Sequence, residues 1–149
     1  MNIGAKSLGM KGAKIMILTY SQVAKSTESL RVLSNLELPY SVTLKLSKNI
    51  KAIEDTFQEY IKENKKLADK YFEKDNNGNY IKVNDTEGVY KIKDGQVENF
   101  RKDQDTLNKF EVDIPIYLID VNELKDSTIK STTIINIDYM FKLPEGDLV

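Results

Sequence analysis

Residues 73–84 come nearer than any other stretch of the chain to a cation-binding loop. With Gly78 at the sixth position of an EF-hand-type loop, oxygen-bearing side chains fall at positions three, five and seven: Asp75, Asn77 and Asn79. Calcium also needs a bidentate carboxylate at position twelve, which is Asn84 here. We therefore expect no calcium site, and a helix end followed by a hairpin turn.

Lysines recur every three residues at the start of a predicted helix, at Lys45, Lys48 and Lys51. Such a strip could contact phosphates, but acidic residues interleave at distances that form ion pairs along a helix. The formal net charge of the chain is −1. A solvated face of mixed charge is the ordinary outcome, so we expect neither nucleic-acid nor membrane binding.

Carboxylates are plentiful, yet their spacing brings no pair together. Asp103 and Asp105 fall on different faces of a helix, and Asp113 and Asp120 on opposite faces of a strand. The chain also has no His and no Cys, which removes Ser-His-Asp triads, Cys-His dyads and zinc hydrolases. We expect no catalytic residue, no metal and no cofactor. A carboxylate enzyme using a divalent metal stays as a third hypothesis.

A long helix over about 41–73 is the strongest prediction from the hydrophobic pattern. The helix has a heptad seam, a row of mostly apolar residues at the a and d positions that are spaced alternately by four and three residues. These residues are Leu46, Ile50, Ile53, Phe57, Tyr60, Asn64, Leu67 and Tyr71. Such a helix would exceed the width of a compact domain, so it bends, projects or pairs with a second chain. Asn64 on the seam either sets register and partner choice or faces solvent.

The other elements predict a small α+β protein. Residues 1–14 form a flexible Gly/Lys arm, and residues 15–149 form a single α+β domain. Shorter helices are predicted at 21–35, with Ser21 as the N-terminal cap, and at 97–109. A small antiparallel sheet includes a hairpin at 79–93, an edge strand around Pro115 and a β-rich stretch at 132–137.

The order of these elements resembles a family of small uncharacterised proteins of Gram-positive phages and prophages. The resemblance covers about residues 14–143 and rests on the segments "LRVLSNLEL", "YFEKDNNGNYI", "YKIKD" and "EVDIPIYLIDVNEL". It implies a protein of a mobile element that acts inside a bacterial cell or in a virion. It assigns a role to no residue.

These observations favour a non-enzymatic factor that binds a host, defence or phage protein and inhibits or occupies it. The candidate contacts are Lys6, Lys11, Lys14 and Asn64. The alternative is a virion or assembly component that forms a homo-oligomer through the long helix. No stretch approaches the ~20 apolar residues of a membrane span, so we expect a cytoplasmic protein.

Overall fold

The structure is a computed structural model that describes residues 12–124, 129 and 131–142. The chain forms two compact units: the second is Gln58–Phe110, and the first contains Met1–Phe57 and Glu111–Val149. Because a domain can contain two compact units, the single domain over 15–149 stays a prediction. The predicted arm lies outside the described residues up to position 11, and its last two residues already belong to a strand.

The first unit is built on an antiparallel pair of seven-residue strands, β1 (Ala13–Thr19) and β2 (Glu111–Tyr117). Their register is continuous, from Ala13 opposite Tyr117 to Thr19 opposite Glu111. Alternate residues point into the core, where Leu18, Ile114 and Ile116 are buried. The edge strand predicted around Pro115 is thus present, with Ile114 and Ile116 facing the core. It ends at Tyr117, and beyond it Ile119 rather than Leu118 is buried.

Helix α1 (Tyr20–Ser34) follows β1 without a loop. Thr19 accepts a hydrogen bond from the Gln22 amide at 3.1 Å, and the Gln22 side chain accepts one from the Thr19 amide at 2.8 Å. The predicted cap at Ser21 is therefore wrong by two residues, because the strand passes directly into the helix and Thr19 takes the capping position.

Helix α2 (Tyr40–Tyr71) has 32 residues and confirms the predicted long helix. Pro39 precedes it, and the Pro39 carbonyl accepts the amides of Val42 and Thr43, both at 3.0 Å. The seam faces inward in each unit: Leu46 and Ile53 are buried in the core of the first, and Tyr71 is buried in the second.

The second unit joins the end of α2 to a hairpin and to helix α3 (Val97–Asn108), as predicted. Isolated antiparallel bridges form the hairpin and attach it to the residues after α2: Phe72 to Ile92, Lys74 to Tyr80 and Lys82 to Tyr90. The ring of Phe72 contacts those of Tyr80, Tyr90 and Phe100, and Tyr80 also contacts Tyr90, with ring centroids 5.3–5.6 Å apart.

The last described segment corrects a prediction. Residues 132–137 favour a strand by residue type, but the structure has helix α4 at Ser131–Ile135. The chain then makes a 3₁₀ turn at Asp138–Met140, and a short β4 (Phe141–Lys142) pairs in parallel with β3 (Ile119–Asp120). Ile137 and Met140 are fully buried, so packing overrides β-propensity here.

A buried asparagine ties α2 to the edge of β2. Asn49 is 0% exposed, its amide donates to the Tyr117 carbonyl at 2.9 Å, and its oxygen accepts the Tyr117 amide at 2.8 Å. Both backbone groups of Tyr117 are therefore satisfied by one side chain, in the way that a neighbouring strand would satisfy them.

We expect Asn49→Ala to lower the free energy of unfolding by about 3 kcal/mol, because it leaves two backbone groups of Tyr117 without partners. Asn99→Ala, at an exposed position of α3, is the matched control and should change stability by less than about 0.5 kcal/mol. Urea denaturation followed by circular dichroism measures both. Equal stabilities of the two variants would contradict the structural role of Asn49.

Candidate functional site

The sequence-predicted contact residues do not form one site. Lys6 and Lys11 lie outside the described residues. Lys14 is exposed on β1 in the first unit, whereas Asn64 is half-buried on α2 in the second. The structure thus places the two described candidates in different units.

Lys14 lines an open cleft of about 730 Å³ in the first unit, together with Lys45 and Lys142. Lys45 is paired there with Glu123 at 3.1 Å, and the Ser41 hydroxyl donates to the same carboxylate at 2.8 Å. The Ser41 hydrogen bond and then Lys45 hold the pKa of Glu123 below its usual value. Two carboxylates line this cleft: Glu123 is engaged as described, and Asp120 accepts the backbone amide of Asn122 at 2.9 Å.

The described residues contain no group of three acidic side chains placed to hold a metal ion. In the loop that resembles a calcium site, the Asp75 carboxylate accepts the amides of Asn77 at 2.8 Å and Asn79 at 3.0 Å. Its role is to close the turn before the hairpin.

A buried serine and tyrosine also have a structural explanation. Ser26 is fully buried, and its hydroxyl lies 2.7 Å from the Gln22 carbonyl, 3.1 Å from the Asn136 carbonyl and within hydrogen-bond reach of the Tyr139 hydroxyl. Burial raises the pKa of Tyr139 to about 12. The pair stays neutral and joins α1 to the last described segment.

One edge of the β1–β2 pair is closed. Because Tyr117 directs both backbone groups to Asn49, the alternation of an antiparallel ladder turns those of Pro115 and Asp113 to the same edge. Pro115 has no amide hydrogen to offer there, which explains why a proline is tolerated and confirms the predicted edge strand. The adjacent groove, about 400 Å³ between α2 and β2, is consequently poor in backbone donors.

The opposite edge is open. By the same alternation, Ile15 and Ile17 direct their amides and carbonyls away from β2. No strand pairs with that edge within the part of the chain that the structure describes. β1 therefore presents a row of backbone donors and acceptors at the surface.

The outer face of this strand pair is apolar next to that edge. Ile15 and Ile17 share the face with Pro115 and with the exposed Asp113, which lies opposite Ile17, and Ile17 is 62% exposed in spite of its size. An isoleucine in the middle of a strand is usually covered. The open edge and the outer face together, defined by Ile15, Ile17 and Pro115, are named the β1 surface below.

The second unit contains a network of charged and phenolic groups. The Asp69 carboxylate accepts the Tyr80 hydroxyl, and it pairs with Lys74 and Lys65, each at 3.2 Å. These hydrogen bonds, with that of Tyr80 first, lower the pKa of Asp69 to about 2. The same contact with Asp69 raises the pKa of Tyr80.

A second network repeats this arrangement on α3. Asp103 accepts the Tyr71 hydroxyl and lies 3.5 Å from the Lys70 ammonium group. The Tyr71 hydrogen bond lowers the pKa of Asp103, and the same bond raises the pKa of Tyr71. Each network links α2 to a neighbouring element of the second unit, so both serve to hold that unit together.

Sequence reasoning missed Asn49 and the open edge of β1. A signal for Asn49 existed, since it follows Leu46 by three residues and precedes Ile53 by four, which puts it on the buried stripe of α2. The open edge had no such signal, because it depends on which strands pair.

Comparisons with known proteins give no relative for this chain: no family model, no curated protein and no solved structure matches it. Within the described residues, no helix has the length and apolar character needed to cross a membrane.

We expect Tyr80→Phe to raise the pKa of Asp69 toward its ordinary value near 4, since it removes the strongest hydrogen bond to that carboxylate. The low folded-state pKa stabilises the protein above pH 4, and this contribution disappears as the pH falls toward 2. The variant should therefore lose less stability than the wild type over that interval.

Carboxyl chemical shifts from an NMR titration measure the pKa, and urea denaturation at each pH measures stability. Tyr90→Phe is the matched control in the same aromatic cluster, since among the described residues no hydrogen bond reaches the Tyr90 hydroxyl. An unchanged Asp69 pKa in Tyr80→Phe would contradict the assigned cause.

Proposed function

We propose that this protein is a non-enzymatic binding factor that docks on a partner protein through the β1 surface. The observation that supports this most directly is the 62% exposure of Ile17 beside Ile15 and Pro115. Ile17 is an exposed isoleucine beside two half-buried apolar residues, and its backbone groups lie at an edge that no described strand pairs with. Such a combination is typical of contact surfaces between proteins.

The chemistry of the rest of the chain supports binding over catalysis. The chain has no His and no Cys, and the perturbed carboxylates Asp69, Asp103 and Glu123 are engaged in hydrogen bonds and ion pairs. The resemblance to small phage and prophage proteins supports a host or defence protein as the partner, and the cytoplasm of a bacterial host as the place of action.

The second candidate is a virion or assembly component that self-associates. The seam of α2 is partly used inside the two units, since Leu46, Ile53 and Tyr71 are buried there. The open edge of β1 offers another route to a homo-oligomer, and this observation keeps the candidate in consideration.

The binding function predicts that Ile17→Lys weakens partner binding at least about tenfold, because it puts a charge in the middle of an apolar contact. Ile135→Lys is the matched control, since Ile135 is 69% exposed and lies on α4. Affinity capture from bacterial lysate should recover a protein with the wild type and with Ile135→Lys, but not with Ile17→Lys.

The captured protein is then purified, and its dissociation constant is measured by calorimetry against each of the three chains. Equal affinities would show that the β1 surface is not the contact. Thermal denaturation of both variants controls for folding, and surface substitutions of this kind should leave the free energy of unfolding within about 0.5 kcal/mol.

The third hypothesis, a divalent-metal enzyme, has a separate test. An ion that binds the native state must raise the melting temperature. Since we expect no metal site, millimolar Mg²⁺ or Mn²⁺ should leave the melting temperature unchanged. Differential scanning fluorimetry measures this. A rise that saturates with metal concentration would instead favour the carboxylate enzyme.

A further inference from the structure

We propose that two copies of this chain pair through the open edges of β1, antiparallel about a two-fold axis at Met16. The product is a four-stranded sheet in the order β2, β1, β1, β2. This inference rests on the proposed function. The edge of β1 pairs with the second copy, and the outer face that carries Ile15, Ile17 and Pro115 stays available to the partner protein as part of a larger binding face.

The two edges of the strand pair are protected very unequally. Proteins guard exposed edges with proline, bulges or charged side chains. The edge of β2 has Pro115 and is covered at Tyr117 by Asn49. β1 has no proline, its register with β2 has no bulge, and Lys14 is its single charged residue. Within the described residues, the edge at Ile15 and Ile17 is therefore unguarded, and such an edge is expected to be occupied in solution.

The sequence of β1 suits a second copy of itself. Met16 is the middle residue of Ala13–Thr19, so a two-fold axis there overlaps all seven residues. Ile15 then faces Ile17 of the second copy, and both residues direct their amides and carbonyls to this edge. The two Ile15–Ile17 pairs exchange four backbone hydrogen bonds. Axes at Ile15 or Ile17 would overlap only about five residues of each strand.

The position of Lys14 in the paired strands is also compatible with this register. Lys14 falls opposite Leu18 of the second copy, so the two lysines are not directly opposed. Like charges that face each other across strands are destabilising, and this register avoids them. The four isoleucines, Ile15 and Ile17 from each copy, then form one apolar strip on the outer face of the sheet. That strip is twice the area that one chain offers to a partner.

Size exclusion with light scattering on the full chain is the first experiment. We expect a species of twice the 17.1 kDa chain mass that dissociates on dilution. Ile17→Lys should raise the dimer dissociation constant at least about tenfold, because it introduces the charge that guarded edges use. Ile135→Lys should leave the constant unchanged.

Disulfide cross-linking tests the register, and the natural chain has no cysteine that could interfere. Ile15→Cys chains with a tag are mixed with untagged Ile17→Cys chains and oxidised. Directly opposed residues have Cβ atoms about 4.5–5.5 Å apart, near the range of a disulfide. The mixed 15–17 product should therefore exceed both homodisulfides. Ile135→Cys, mixed with either chain, should give only background.

Each result supports or overturns the inference. A dimer sensitive to Ile17→Lys, with a dominant 15–17 disulfide, supports it. A monomer at every concentration overturns it, as does a dimer that gives 15–15 or 17–17 products or is insensitive to Ile17→Lys. A monomer whose Ile17 is needed for capture assigns the edge to a partner protein, which overturns self-pairing and retains the proposed function. A dimer that captures no partner protein supports self-pairing and contradicts the proposed function.

Discussion

The amide of Asn49 is the interaction on which the first unit depends. Two strands alone make a marginal sheet, and β2 would otherwise leave the backbone of Tyr117 without partners beside α2. Asn49 supplies both bonds from a fully buried position, held there by Leu46 and Ile53 on the same stripe. A helix side chain thus takes the place of a third strand. Within the described residues, the backbone groups of Ile15 and Ile17 on β1 are then left at an edge that no strand pairs with.

The second unit is stabilised by contacts of a different kind. Few aliphatic side chains are buried there, and contacts among aromatic rings replace them. The hydroxyls of Tyr71 and Tyr80 reach outward to Asp103 and Asp69, each of which also binds lysine. The lowered pKa values of Asp69 and Asp103 therefore result from hydrogen bonds that hold this unit together, and by themselves they do not indicate a functional site.

Local patterns predicted the elements well, and pairings between distant residues accounted for the errors. The seam of α2, the hairpin at 79–93 and the edge strand around Pro115 follow from periodicity and turn chemistry, and the structure has all three. Residues 132–135 lie in a helix against their propensity, and Ile137 and Met140, which follow that helix, enter the core. The heptad pattern singles out Asn64 as its polar residue, whereas the decisive contact belongs to Asn49. That contact could not be predicted from a local pattern, because its partner Tyr117 is 68 residues away.

The connectivity of β1 and β2 has a consequence for the order of folding. Their register joins the first described residues to a strand about a hundred residues later, which is costly in loop-closure entropy. Gln58–Phe110 lies entirely within that loop, and a hydrogen bond from Tyr60 to Asn108 joins its two ends. If this unit folds first, it shortens the effective loop and brings the two parts of the first unit together. During synthesis, β1 must wait for β2 to leave the ribosome, so an apolar strand stays unpaired for most of translation.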